Sequence, residues 1–210
     1  MRPVTERYPK PVLPIDGRPV IVALLWELKA AGIEDVTVVT GHLAEQVERL
    51  IEGFPLRLRF VKQPRPDGSA DAVRRGLRGL PAIVAAADTL FTSGDIARFA
   101  RSPGHAIAGR RDPPPEPPDR YGLRIEDGRV TRVLDDDPAN RLSGAPLWRL
   151  GEGFDRTVLD ALGGPPYELA EAFQRLIDAG ETVHGVEIGP TRDLTYPQDL
   201  VEENFAYLSG

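Results

Sequence analysis

Three side chains in this chain could do phosphoryl chemistry together. Lys10 lies within Thr5–Pro19, TERYPKPVLPIDGRP, among four prolines, Pro9, Pro11, Pro14 and Pro19. Proline fixes φ and biases its predecessor towards extended backbone. Pro9-Lys10-Pro11 is therefore expected to be a stiff, extended segment holding Lys10 in one place. A lysine held so meets phosphate oxygens as a compact point charge. By itself it fits a proline-stiffened surface loop with a solvated lysine better. Asp88 ends the apolar run PAIVAAAD, and Asp193 arrives in TRDLTYPQDL, far along the chain. Magnesium is usually held by one or two carboxylates plus substrate phosphates. Two aspartates facing one lysine would suit phosphoryl transfer. Taken alone, Asp88 also fits a helix cap or a turn.

A fourth segment, Gln63–Ala70, QPRPDGSA, follows an expected strand and opens an expected helix. Gly68 permits close backbone approach, and Gln63 offers donor and acceptor groups to a base edge. Standing alone it is an ordinary strand-to-helix loop. His42, His105 and His184 are scattered, and no serine–histidine or cysteine–histidine pair suggests a protein nucleophile.

These residues need a scaffold. Pro19–Ala31 is expected to be a helix with Val20, Ala23, Leu24, Leu28 and Ala31 on one face, ended by Gly32. Asp35–Thr40 reads as a buried parallel strand and Leu56–Val61 as a more exposed one. Further helices are expected over Leu43–Ile51, Ser69–Leu77 (capped by Ser69) and Asp95–Ala100 (capped by Asp95), and a strand over Pro81–Ala87. Later, His105–Gly109 reads as a strand, and Tyr121–Ile125 and Val130–Leu134 as a hairpin about Asp127-Gly128. Tyr167–Ala179 is an amphipathic helix, Thr182–Ile188 a strand and Pro197–Leu208 a closing helix. The stretch Asp112–Asp119, DPPPEPPD, reads as polyproline II. The rhythm is that of an α/β, Rossmann-like open, mostly parallel sheet with helices on both faces, and ligands outside the strands' carboxyl ends. The less regular second half reads as a lid.

The chain has 210 residues, a length for one domain. A net charge of -6 argues against bulk binding to nucleic acid or anionic membrane. It has no cysteine, so neither disulfides nor thiolate metal sites arise. No apolar run suggests a membrane span or signal peptide. A cytoplasmic location is expected, and a homo-oligomer is compatible with it.

The run RPVTERYPKPVLPIDGRPVI followed by AGIEDVTVVTGHLAEQVE resembles the sugar-1-phosphate nucleotidyltransferases. In that family R-x-P-x-T-x-x-x-P-K-P-x-L-P carries the catalytic lysine. The likeness continues through QPRPDGSADAV, AADTLFTSGDI, RYGLRIEDGRV, YELAEAFQRLIDAG and DLTYPQDL. QPRPDG looks most like glucose-1-phosphate thymidylyltransferases. The resemblance implies a single domain over 1–210, with a nucleotide-binding half at 1–104 and a small mixed sugar-binding lobe at 105–210. It assigns Lys10 to the phosphates, Asp88 and Asp193 to Mg2+, and Gln63, Gly68 and Ser69 to the nucleotide. Tyr121, Gly122 and Asp136 fall to the sugar. The implied reaction joins dTTP or UTP to a sugar 1-phosphate and releases pyrophosphate.

Two departures from the family pattern matter. The family begins with a buried strand and a glycine-rich loop ending in G-T-R, and Met1 falls inside that point. The expected consequence is a missing central strand between Val36–Thr40 and Ile83–Ala87. That would leave a gap or a direct pairing of those strands, and a poorly stable chain of low activity. The sugar motif, usually E-K-P, corresponds to Asp136-Asp137-Pro138. Two classes follow: an active enzyme, or a non-catalytic nucleotide-sugar-binding or regulatory relative that has lost its phosphate loop.

Overall fold

The computed structural model describes residues 1–111 and 121–208, apart from the side chains of Ala206 and Tyr207. The expected polyproline stretch at 112–119 lies outside the described residues.

The chain opens with a helical turn, α1 (Val4–Arg7), and a 3-10 turn at Lys10–Val12. A hairpin follows, β1 (Pro14–Ile15) and β2 (Arg18–Pro19). Its two-residue turn, Asp16-Gly17, has positive φ at both positions, the geometry that matches strand twist. Then come α2 (Val20–Ala30), β3 (Asp35–Thr40), α3 (Ala44–Leu50), β4 (Arg57–Lys62) and α4 (Ser69–Gly76). After these lie β5 (Ala82–Ala85), β6 (Thr89–Leu90), α5 (Asp95–Phe99) and β7 (His105–Arg111). The second half adds β8 (Gly122–Glu126), β9 (Arg129–Asp135), β10 (Leu142–Leu150), α6 (Thr157–Asp160) and α7 (Leu169–Asp178). Last are β11 (Val183–Glu187), β12 (Arg192–Asp193), α8 (Asp199–Glu202) and α9 (Phe205–Leu208).

The α/β class holds. The main sheet runs β5-β10-β7-β11-β9-β8. It is mixed rather than mostly parallel: β11 runs parallel to β7, and the other pairings in it are antiparallel. Helices cover both faces, and β7 shows how. Ile107 packs into one core with α4, α6 and α7, while Ala106 and Ala108 pack into another with α2 and α5. That is the alternation a strand imposes. The second half is no lid, since five strands of the main sheet (β7 to β11) come from it.

β3 and β4 pair in parallel over their whole length and form a sheet of their own. No described hydrogen bond joins β3 to β5. The two strands expected to flank a central slot are thus unpaired with each other, although Val38 shares a core with Ile83 and Ala85.

Three local expectations need correction. The closing helix is two separate turns, α8 and α9. Ser69 and Asp95 are first helical residues, not caps, because Gly68 and Gly94 with positive φ occupy the cap positions. The 9-residue strand β10 lies outside the expected strands, and Gly144 and Pro146 within LSGAPLWRL disfavour a strand locally. The register against β7 shifts between Gly144 and Trp148, so the proline sits in an irregularity where no ladder donor is needed. Its carbonyl still accepts from Ala86 N–H at 3.0 Å.

Candidate active site

The Lys10 segment is a turn rather than an extended stretch. Pro9 is extended, but Val12 N–H donates to the Pro9 carbonyl and Leu13 N–H to that of Lys10, each at 3.0 Å. The turn is anchored by a small core of Leu13, Ile15, Val20 and Leu194, with Leu90 packed against it. Leu90 belongs to β6 and Leu194 follows β12, so this core draws Lys10 towards that strand pair.

β6 and β12 are antiparallel, with Asp193 opposite Thr89 and Arg192 opposite Leu90. Asp88 immediately precedes Thr89. The ladder therefore brings together two aspartates 105 positions apart in sequence (193 less 88). Lys10 Nζ lies 3.9 Å from Asp88 Oδ2, both side chains 37% exposed. Asp193 is 39% exposed and accepts from Thr195 Oγ1 at 3.1 Å. Arg110 Nη1 lies 3.8 Å from Asp193 Oδ2 and also bonds the Thr191 hydroxyl. Sequence reasoning missed Arg110. It ends a strand, and nothing local marks it, because its partners lie more than 80 positions away.

The Gln63 loop is built differently. Gln63 N–H continues the ladder to the Thr40 carbonyl at 2.7 Å. Its side-chain Nε2 donates to the Gly68 carbonyl at 3.1 Å and to Asp71 Oδ2 at 2.9 Å. Gly68 has φ of +102°, and a Cβ there would lie 2.3 Å from the Tyr167 carbonyl oxygen. Only glycine fits. Tyr167 N–H donates to the Asp67 carbonyl (2.7 Å), and Ala70 N–H to that of Tyr167 (2.9 Å). Ser69 Oγ accepts from Leu169 N–H at 2.8 Å and donates to Glu168 Oε2 at 2.7 Å. Ser69 thus caps α7, not its own helix.

Tyr121, Gly122 and Asp136 do come together. With Leu134, Asp135, Asp137 and Pro138 they line a cavity of about 370 Å³. Gly122 is packed so that a Cβ would sit 2.2 Å from the Asp135 carbonyl oxygen. The Tyr121 ring lies over Gly144, and burial pushes its phenol well above the usual range. Asp135 is buried and bonds Arg124 and Asn140, while Asp136 is exposed. Ser143 of β10 stands opposite Arg110 on one side and Gly122 on the other. One cross-sheet row thus links the Asp193 end to this cavity. A larger cavity, about 560 Å³ between α3 and β4, contains none of the expected site residues. His105 is structural: its Nδ1 accepts from Gly151 N–H at 3.1 Å and its ring meets the edge of Phe154.

The MobA-like NTP transferase domain matches residues 4–140, and the chain belongs to that family. Among curated relatives, the low-salt glycan biosynthesis nucleotidyltransferase of Haloferax volcanii is 26% identical over 97% of this chain. A glucose-1-phosphate thymidylyltransferase of Streptomyces griseus is 27% identical over the same share. The chain spans 61% of the length of each of these relatives. In fold it is similar to an apo UDP-glucose pyrophosphorylase, with a TM-score of 0.83 and 18% identity, covering 100% of this chain and 93% of that one. The inositol-1-phosphate CTP transferase from T. maritima gives 0.80 and 14%, covering 100% and 89%. No helix among the described residues is long and apolar enough to cross a membrane.

Proposed function

We propose that this chain joins the nucleotidyl group of dTTP or UTP to a sugar 1-phosphate and releases pyrophosphate. The observation that carries this reading is the convergence of Lys10, Asp88 and Asp193 from three distant stretches onto the β6–β12 pair. Such a cluster suits in-line attack. A sugar-phosphate oxygen forms a bond to the α-phosphorus as the bond to the bridging oxygen breaks, and pyrophosphate leaves. The attacking phosphate is already ionised, so no general base is required. Lys10 offsets charge that grows on the phosphate oxygens. Arg110 beside Asp193 is a second cation for the same purpose.

Asp88 and Asp193 fit Mg2+ by donor chemistry: two partly exposed carboxylates of the hard oxygen type. Among the described residues no three metal-ligating side chains gather, so the remaining positions would fall to phosphate oxygens and water. The ion would neutralise phosphate charge when bound. Residues 1–104 form the nucleotide-binding half in this reading, with Gln63, Gly68 and Ser69 in its base loop. Residues 105–210 form the sugar half, with Tyr121, Gly122 and Asp136 at the cavity.

The test is pyrophosphate release with dTTP, UTP, CTP, ATP or GTP and a panel of sugar 1-phosphates, with and without Mg2+. Release with a pyrimidine nucleotide and a sugar 1-phosphate, abolished by chelation, is expected. Equal use of ATP or GTP would refute the pyrimidine assignment. Release without any sugar phosphate would refute the acceptor.

A further inference from the structure

The structure assigns Asp71 as a positioning residue that locks the orientation of the Gln63 amide and so sets which bases the loop accepts. This rests on the reading of Gln63 as a base contact.

Asp71 is 2% exposed on the first turn of α4. A carboxylate so buried must be compensated. Arg75 Nε donates to it at 2.6 Å, Arg74 Nη2 at 2.7 Å and Gln63 Nε2 at 2.9 Å. These partners, Arg75 foremost, hold the acid well below the usual carboxylate range against the opposing effect of burial. Asp71 is therefore ionised, and an ionised carboxylate only accepts. The second partner of Gln63 Nε2, the Gly68 carbonyl, also only accepts. A glutamine amide can usually turn over and exchange donor for acceptor. Here turning over would set Oε1 against two acceptors. Both N–H groups of Gln63 are committed, and its Oε1 has no hydrogen-bond partner among the described residues. The half-buried side chain can offer a base only an acceptor, not the donor and acceptor expected from its type.

A lone, fixed acceptor suits a base with a ring N–H. Uracil and thymine carry one at N3. Cytosine in the same pose sets the lone pair of N3 against that oxygen, and it would have to shift to offer its 4-amino group instead. Asp71 selects the imide pyrimidines without touching them.

The experiment compares UTP and CTP binding, each with Mg2+, to the wild-type chain, Asp71→Asn and Arg75→Gln. Wild type should favour UTP about tenfold or more. Asparagine can donate as well as accept, so Asp71→Asn frees the amide to turn. The UTP-to-CTP ratio should then fall by at least about fivefold. Arg75→Gln loses an ion pair but keeps the lock, so it should lower stability and leave the ratio. A second measurement needs no nucleotide. The Gln63 side-chain NH2 should exchange slowly with solvent by NMR in wild type and fast in Asp71→Asn. Equal weakening of both nucleotides by Asp71→Asn, with the ratio kept, overturns the inference while the nucleotidyltransferase reading stands. Wild-type preference for CTP, or fast Gln63 exchange, overturns it too. Binding of neither nucleotide removes the functional reading and base selection with it.

Discussion

The two ends of the proposed site are held by contrasting means. At the Lys10 end, the charges sit 3.8–3.9 Å apart on side chains mostly more than a third exposed. At the Gln63 end, hydrogen bonds of 2.7–2.9 Å tie the loop to Asp71 and to the start of α7. Long, exposed ion pairs contribute little to stability. They are also easily exchanged for phosphate oxygens or a metal ion. Short bonds around a buried acid resist change and fix shape. On the proposed reading, the comparison separates a reacting end left free to exchange partners from a recognition end built in advance. It predicts that substitutions at the first cost rate, and those at the second cost stability and selectivity.

The largest effect tests the reacting end. Asp88→Ala or Asp193→Ala should lower turnover on the order of a thousandfold at saturating Mg2+. The melting temperature should move by less than about 2 °C, since neither aspartate is buried. Near-normal turnover in Asp88→Ala would remove it from the site, and a large loss of stability would erase the contrast.

Gly68→Ala should do the reverse. A β-carbon forced to 2.3 Å from a backbone oxygen at positive φ must push α4 away from Tyr167. A loss of about 3 kcal/mol is expected, some 6 to 12 °C in melting temperature by roughly the same scaling. A thermal scan that barely moves would mean the loop is softer than its bonds suggest.

Lys10→Ala should lower kcat by about a hundredfold and raise the nucleotide KM much less, because charge builds on the phosphates in the transition state. A raised KM with unchanged kcat would place Lys10 in ground-state binding.

The same contrast marks what the sequence could reveal. Lys10 among its prolines, Asp88 at the end of an apolar run and Gly68 before a helix carry local signals. So do the helical period of α2 and α7 and the Asp127-Gly128 turn, which has positive φ at both positions. Long-range partners carry none. Ser69 capping a helix 100 positions on could not be read from its neighbours. Nor could Arg110 meeting Thr191 and Asp193. β10 was hidden for a different reason. Its glycine and proline argue against a strand locally, yet the glycine makes room for the Tyr121 ring and the proline lies in the irregular stretch. Nor does the sequence mark Asp71, whose role shows only in Arg74, Arg75 and Gln63 converging on it.

Ser69→Ala probes the recognition end more gently. It removes the acceptor for Leu169 N–H and should cost about 1 kcal/mol, as lost N-caps do. A fall of about 2 to 4 °C in melting temperature is expected, with turnover at saturating substrate unchanged. Lost turnover with unchanged stability would instead move Ser69 to the reacting end.

The smallest effect separates both ends from the scaffold between them. His105 begins β7 and is buried, and burial lowers its pKa below the ordinary value near 6.5. The nearby Glu181 opposes this shift and Arg149 reinforces it. The folded chain therefore holds fewer protons at this group than the unfolded chain as pH falls from about 6.5. Its contribution is fully present above that pH and is lost progressively below it, towards the lower folded value. Melting temperature should decline between about pH 7.5 and 5.5 in wild type. His105→Asn keeps an acceptor for Gly151 N–H without a titrating ring, so its melting curve should be flatter over that range. The ratio of UTP to CTP binding should not change in either protein across the same window, because Asp71 stays ionised there. A ratio that follows the His105 titration would mean the recognition end is coupled to the scaffold, and its independence would be lost.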